Sequence, residues 1–180
     1  MTADVTVRPF AEADWAEVRA IIEEVAAEGE TYCLPARLTD AEAREFWLSD
    51  AATVVAEVDG EVLGSAHMGP NRPAQGAHVG TASFMVSSAA RGRGVGRALG
   101  EHVVEWHRRN GFRAICFNAV VETNASAVRL WQSLGFTIIG TVPGAFRRPS
   151  GEHVGLHVMH LPLVRRDRPD GPATAAPGGG

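Results

Sequence analysis

The sequence predicts one mixed α/β domain. Two periodicities and one bulk property predict it. Short runs of alternating or continuous apolar residues, such as "TVVAEV" and "RAICFNAVV", read as strands. Between such runs, apolar residues recur every three or four positions, as amphipathic helices require. The chain has 180 residues, 45% hydrophobic and 21% charged, which suits a single globular core.

Each element has its own signal. "VTVRPF" alternates as a strand. Trp15, Val18, Ile22 and Val25 share a helical face, and Gly29 stops that helix. "GETYCLPARL" is a loop. Thr39-Asp40-Ala41-Glu42 has the reciprocal capping pattern and opens a second helix towards Trp47. "TVVAEV", Asp59-Gly60 and "EVLGSAHM" make a hairpin with a tight turn. After the loop "RPAQG", "HVGTASFMV" is a further strand. Leu99, Val103 and Trp106 mark a helix ending near Asn110-Gly111, and "RAICFNAVV" follows as a strand. Asn124 caps a short helix carrying Val128, Trp131 and Leu134, closed by Gly135. "FTIIGTV" and "HVGLHVMHLPL" form a last strand pair, joined by a loop from Pro143 to Gly151. The predicted order is β-α-α-β-β-β-α-β-α-β-β. Trp15, Trp47 and Trp106 read as core. Residues 1–163 make the domain. Residues 164–180, dominated by Arg, Asp, Pro, Ala and Gly, have little to bury and read as a disordered tail.

Charge and composition narrow the function. The net charge of -4 argues against a general nucleic-acid binder. No apolar run approaches the ~20 residues of a membrane span, and "MTADVTVRPF" lacks a signal pattern. Cys33 and Cys116 are far apart in the chain and form no metal-type pair, so a reducing cytoplasm is the expected location.

Against that background, "SSAARGRGVGRAL" stands out. Gly92, Gly94 and Gly96 alternate with Arg91, Arg93, Val95 and Arg97 between a strand and a helix. Glycines permit a tight turn and close backbone approach. A helix start presents unpaired N–H groups and favours anions. With three arginines added, a diphosphate site is the natural reading, beside a purely structural turn with solvated arginines. The stretch is neither a Walker A loop, which needs Gly-Lys-Ser/Thr, nor the dinucleotide pattern, because Arg97 stands where the third glycine belongs.

Arg91-x-x-Gly94-x-Gly96 resembles the Q/R-x-x-G-x-G/A signature of the GNAT superfamily of acyl-CoA N-acyltransferases. "NASAVRLWQSLGF", Asn124 to Phe136, resembles the same family's N-x-x-A-x-x-L-Y-x-x-x-G-F segment, and "VRPFAEADWAEV" its first strand and helix. The resemblance spans residues 5–163. It implies a mostly antiparallel central sheet flanked by helices, with a splayed parallel strand pair where the acyl-CoA thioester enters. The strand ending in Phe84-Met85-Val86 would hold the pantetheine arm on its backbone at Met85 and Val86, and an N–H there would polarise the thioester carbonyl. Residues Arg91 to Arg97 would hold the CoA diphosphate. Asn124 would bond the pantetheine arm. The strand carrying Phe117-Asn118 would splay from the Met85-Val86 strand.

The sequence departs from the family at one chemically important position. Trp131 stands where relatives often carry a tyrosine acid, and an indole N–H cannot take that role. Trp131 is expected to pack against the cofactor instead. Tyr32, the chain's single tyrosine, lies in the loop that shapes the acceptor site in relatives. It is a candidate acid, with loop packing or substrate contact as the competing role. A thiol with pKa ~8.5 also leaves tolerably without an acid. The amine must lose a proton, and Glu30, Glu122 and His78 are the candidate bases, in that order. Asn118 is either an acceptor ligand or a satisfied structural amide. His153, His157 and His160 do not share one strand face and read as no metal site, and Cys116 reads as a buried small residue.

The resemblance implies an acetyl-CoA-dependent N-acetyltransferase acting on a small-molecule amine by direct attack through a tetrahedral intermediate, without a metal. "FNAVVETN" followed by "LWQSLGF" also resembles relatives of the fungal acetyltransferase for proline analogues, which favours an amino-acid-like acceptor. The competing class is a non-catalytic acyl-CoA-binding sensor or partner module, which Trp131 keeps open. A homodimer is the oligomer to test for. No nucleic acid or membrane partner is expected.

Overall fold

The computed structural model describes residues 4–49 and 51–164. Apart from Val164, the expected tail lies outside the described residues.

Strands β1 (Val5–Pro9), β2 (Ala52–Val58), β3 (Glu61–Pro70), β4 (Val79–Val86), β5 (Ala114–Val121), β6 (Thr137–Arg147) and β7 (His153–Pro162) form one sheet of order β1-β2-β3-β4-β5-β7-β6. Every neighbouring pair is antiparallel except β4 and β5. That parallel pair touches only at Val79–Ala114 and Gly80–Ile115, and then the strands part.

Helices α1 (Trp15–Glu28) and α2 (Asp40–Leu48) cover one face, and α3 (Val95–Arg109) and α4 (Ala125–Ser133) the other. Strand alternation explains this sorting: Val55 and Met85 join Val18, Ile22 and Trp47, whereas Val54 and Leu63 join Leu99 and Val103. With both faces covered, β3 is buried from Val62 to Gly69. Local signals set the element ends. Gly29 takes φ +64° and closes α1 on the Val25 carbonyl. Thr39 and Glu42 cap α2 reciprocally, with the Thr39 N–H donating to the Glu42 carboxylate at 2.8 Å. Asp59 and Gly60 both take positive φ, which fits the turn of the β2–β3 hairpin.

Two expectations need correction. The loop expected from Pro143 to Gly151 is strand as far as Arg147. Phe146 is buried against Val121 and Val154, and a register shift between Val142 and Phe146 absorbs Pro143–Ala145. Trp106 is half-buried rather than core, beside Phe112 with ring centroids 5.7 Å apart.

Candidate active site

Where β4 and β5 part, a cleft of about 730 Å³ opens. Its β4 wall follows from strand alternation. Ser87 donates its N–H to Leu63 on β3, so the odd-numbered residues before it face β3 and the even-numbered ones face the gap. Phe84 and Val86 therefore present main-chain groups to the cleft. Met85 turns its backbone to β3 and buries its side chain under α1 and α2. Of the expected pair, Val86 lies on the gap edge, and Phe84 replaces Met85 beside it.

The glycine-arginine turn closes one end. Gly92 and Gly94 take φ +76° and +81°, and no atom lies within 4 Å of a Cβ built on either. Conformation, not crowding, requires glycine there. The first helical hydrogen bond of α3 runs from Ala98 to the Gly94 carbonyl, so the N–H groups of Val95, Gly96 and Arg97 have no partner within the helix. No acidic residue occupies that first turn. Arg91 and Arg97 line the cleft, but Arg93 does not: it pairs with Asp59 on the hairpin at 2.7 Å. Arg97 donates to Ser133 at 2.9 Å, which ties α3 to α4. Glu24 of α1 steadies the approach to the turn, accepting from the Ser88 N–H at 2.8 Å and the Ser87 hydroxyl at 3.0 Å. Bonds from Ser88 and Ser87 hold its carboxyl below the usual range.

The far wall comes from α4. Asn124 caps it by accepting from the Ala127 N–H at 3.2 Å with Oδ1, and its Nδ2 is the side chain's donor group. Trp131 is 6% exposed and packs 4.5 Å from Phe84 and 5.1 Å from Phe117, centroid to centroid. It lines the cleft as an aromatic wall.

Tyr32 reaches the gap from the α1–α2 loop. Its hydroxyl accepts from the Phe84 N–H at 2.9 Å and donates to the Phe84 carbonyl at 2.7 Å. Burial pushes the phenol up to about 12 against the lowering effect of the Phe84 bond, so it is protonated at neutral pH.

The carboxylates divide differently from expectation. Glu30 is ion-paired to Arg148 at 2.9 Å, and Arg148 also pairs with Glu152. Glu122 accepts a hydrogen bond from the Gly155 N–H on β7. His78 is exposed, and its carbonyl accepts from the Arg113 N–H. None of the three lines the cleft. Among the described residues, Glu28, at the end of α1, is the carboxylate that does.

Asn118 sits at the irregularity where β5 shifts register against β7, exposed and lining the cleft. It pairs reciprocally with Asn71: Asn118 Nδ2 donates at 2.7 Å, and Asn71 Nδ2 donates back at 3.2 Å. Arg72 donates to the Asn71 side-chain oxygen at 3.1 Å. Cys116 lies beside this group, its Sγ 3.8 Å from Asn118 Oδ1, and burial pushes its thiol up. His157 bonds Thr141 at 2.8 Å, and no His/Cys/Asp/Glu group among the described residues is placed to hold a metal. Sequence reasoning missed that Phe84 turns its main chain to the gap, and missed Asn71 and Glu28. Strand parity relative to β3 was the one signal available for Phe84.

Comparison with known proteins identifies the family and the fold. A family model described as the acetyltransferase (GNAT) family matches residues 16–136. The chain is 29% identical over 136 residues to N-acetyltransferase aca1 of Schizosaccharomyces pombe, covering 66% of this chain and 65% of that relative's own length. It is 31% identical over 181 residues to phosphinothricin N-acetyltransferase of Streptomyces viridochromogenes, covering 94% and 95%. It is 32% identical over 135 residues to an L-methionine sulfoximine/L-methionine sulfone acetyltransferase of Salmonella typhimurium, covering 74% and 77%. Among solved structures, a GCN5-related N-acetyltransferase from Kribbella flavida superposes with TM-score 0.84 at 56% identity, covering 88% of this chain and 97% of that one. The structure of yncA from Salmonella typhimurium, solved with its cofactor acetyl-CoA, gives TM-score 0.78 at 28% identity, covering 93% and 99%.

Proposed function

The chain belongs to the acetyltransferase (GNAT) family, and from that premise we propose that it moves an acetyl group from acetyl-CoA to the amine of a small amino-acid-like acceptor. The observation that carries the reading is the β4–β5 gap. It is a strand edge that β5 leaves, met at Phe84 by the Tyr32 hydroxyl, with an unpaired helix start and two cleft-lining arginines at one end and an amide pair at the other.

The groups fit acetyl-CoA in order along the cleft. The N–H groups of Val95 to Arg97, with Arg91 and Arg97, suit a diphosphate. Arg93 neutralises Asp59 beside the turn rather than meeting the ligand. The main chain of Val86 and Nδ2 of Asn124 suit the amides of a pantetheine arm, with Trp131 as the apolar wall. Acetyl-CoA supplies an activated acyl group, and the Phe84 N–H is the donor aimed at developing charge on its carbonyl oxygen.

The acceptor lies on the α1–α2 side. Asn118, Asn71 and Arg72 form a polar cluster suited to a carboxylate, with donors from two amides and a guanidinium. The names of the phosphinothricin and L-methionine sulfoximine relatives support a small polar amine acceptor. Glu28 receives the ammonium proton, because Glu30 and Glu122 are engaged elsewhere. The thiolate leaves without a dedicated acid: burial pushes the Tyr32 phenol up to about 12, well above a thiol at ~8.5, and Trp131 has no proton to give.

The test is release of CoA thiol from acetyl-CoA in the presence of amino acids and their analogues, polyamines and peptides, with acetylated product identified by mass. Turnover with an amino-acid-like amine is the expected result. Turnover with peptides alone moves the acceptor to a protein N-terminus or lysine. Binding without turnover on any amine supports the acyl-CoA sensor instead.

A further inference from the structure

Tyr32 completes a strand edge that β5 abandons. In a parallel pair, a β4 residue facing β5 gives its N–H and its C=O to the neighbouring strand. The pairing stops at Gly80–Ile115, four residues before Phe84. At Phe84 one phenol takes both places, accepting from the N–H at 2.9 Å and donating to the C=O at 2.7 Å. The ring is fixed edge-on to Phe46, with centroids 6.2 Å apart, against the α1–α2 core.

The position along the strand decides what this contact competes with. Val86 lies beside the diphosphate turn, and Phe84 is two residues, roughly 6–7 Å, further in. An arm that starts at the turn meets Val86 first and Phe84 with its reactive end. A thioester end brings a carbonyl oxygen, which needs the Phe84 N–H. A free thiol end brings no such acceptor. Tyr32 and its loop neighbours Cys33 and Leu34 line both the cleft and a second cavity of about 630 Å³ that reaches Phe146 and Arg148.

We propose that the Tyr32 hydroxyl occupies the place of the thioester carbonyl on Phe84, so that acetyl-CoA displaces it and free CoA does not. Tyr32 is thereby a specificity-determining residue that reports the acylation state of CoA to the α1–α2 loop along the cleft. Acylated CoA shifts the α1–α2 loop to admit the amine, and after transfer the phenol returns to Phe84. This rests on the acyl-CoA reading above.

Because Tyr32 is the single tyrosine, protein labelled with ¹³Cζ-tyrosine has one resonance reporting on this hydroxyl. Saturating acetyl-CoA should move it, and saturating CoA should leave it near its ligand-free position. In parallel, Tyr32→Phe should raise affinity for acetyl-CoA relative to CoA by about three- to tenfold, the range expected when one hydrogen bond no longer has to be displaced. Equal resonance shifts with the two ligands, or an affinity ratio unchanged or lowered in Tyr32→Phe, overturns this inference alone. If neither ligand binds the wild-type protein, the acyl-CoA reading falls and takes this one with it. The resonance measurement uses the wild-type protein, so the test survives any folding defect in Tyr32→Phe.

Discussion

Glu28, Glu30 and Glu122 carry the same functional group into three different settings. A carboxylate locked to Arg148 or to the Gly155 N–H is poorly placed to collect a proton from an incoming amine, whereas Glu28 faces the cleft. Glu28→Gln should therefore lower kcat by about 10²-fold or more with a small effect on acetyl-CoA affinity, and Glu30→Gln should change kcat by less than about tenfold. Steady-state kinetics on the best acceptor checks both, and the reverse ranking would return the base to Glu30. Tyr32→Phe should likewise keep kcat within about tenfold, since a dedicated acid would cost ~10²–10⁴. The sequence singled out Tyr32, Asn118 and Trp131 because their types are conspicuous in their segments, and all three line the cleft. It could not show their partners. Asn71 lies 47 positions from Asn118, and the Tyr32–Phe84 contact spans 52, so no local pattern joins them.

At the scale of elements, the turn before α3 offers a way to separate ligand binding from folding. Gly94→Val puts a β-branched residue at φ +81°, which costs about 1–3 kcal/mol of stability whatever its effect on ligand. Gly96 is different. It is helical, and an added Cβ would meet only Leu130, at 3.4 Å. Gly96→Asp should leave the melting temperature unchanged or raise it, since an acidic residue suits a helix's first turn, while its charge opposes the diphosphate and weakens acetyl-CoA at least tenfold. Thermal melts and titration together check this, and a parallel loss of stability would favour a purely structural turn. Caps and tight turns were the most legible features, because Thr39–Glu42, Asp59–Gly60 and Gly29 act over a few bonds. The extension of β6 to Arg147 was not, because Phe146 is held by Val121 and Val154 from other strands.

For the molecule as a whole, the gap depends on the sheet parting just beyond Gly80, and a buried histidine sits there. His107 is fully buried, its Nδ1 is 2.8 Å from the Val103 carbonyl, and a Cβ on Gly80 would fall 2.1 Å from its ring. Burial lowers its pKa from the ordinary 6.5. The unfolded chain then binds a proton near pH 6.5 that the folded chain refuses, so stability is full above that pH and declines below it, by up to ~1.4 kcal/mol per pH unit. His102, also lowered by burial, adds to the same trend. Melting temperature should fall between pH 7.5 and 5, above the range where Asp14 and Asp40 titrate. His107→Phe should flatten that slope, and an unchanged slope would remove His107 as its source. The mixed α/β class was legible from periodicity. The single parallel contact was not, because two adjoining residue pairs leave no periodic trace, and only the resemblance of the flanking segments pointed to it.

The central claim is that the β4–β5 gap and the start of α3 form an acetyl-CoA site. Ligand at ~100 times its dissociation constant should add ~2.7 kcal/mol, a rise of several degrees in melting temperature. The most direct measurement is calorimetric titration of acetyl-CoA into the wild-type protein beside Gly96→Asp. The account predicts saturable binding to the wild type and at least tenfold weaker binding to the equally well-folded variant. No binding to the wild type at millimolar acetyl-CoA, or equal affinity in both proteins, would contradict it.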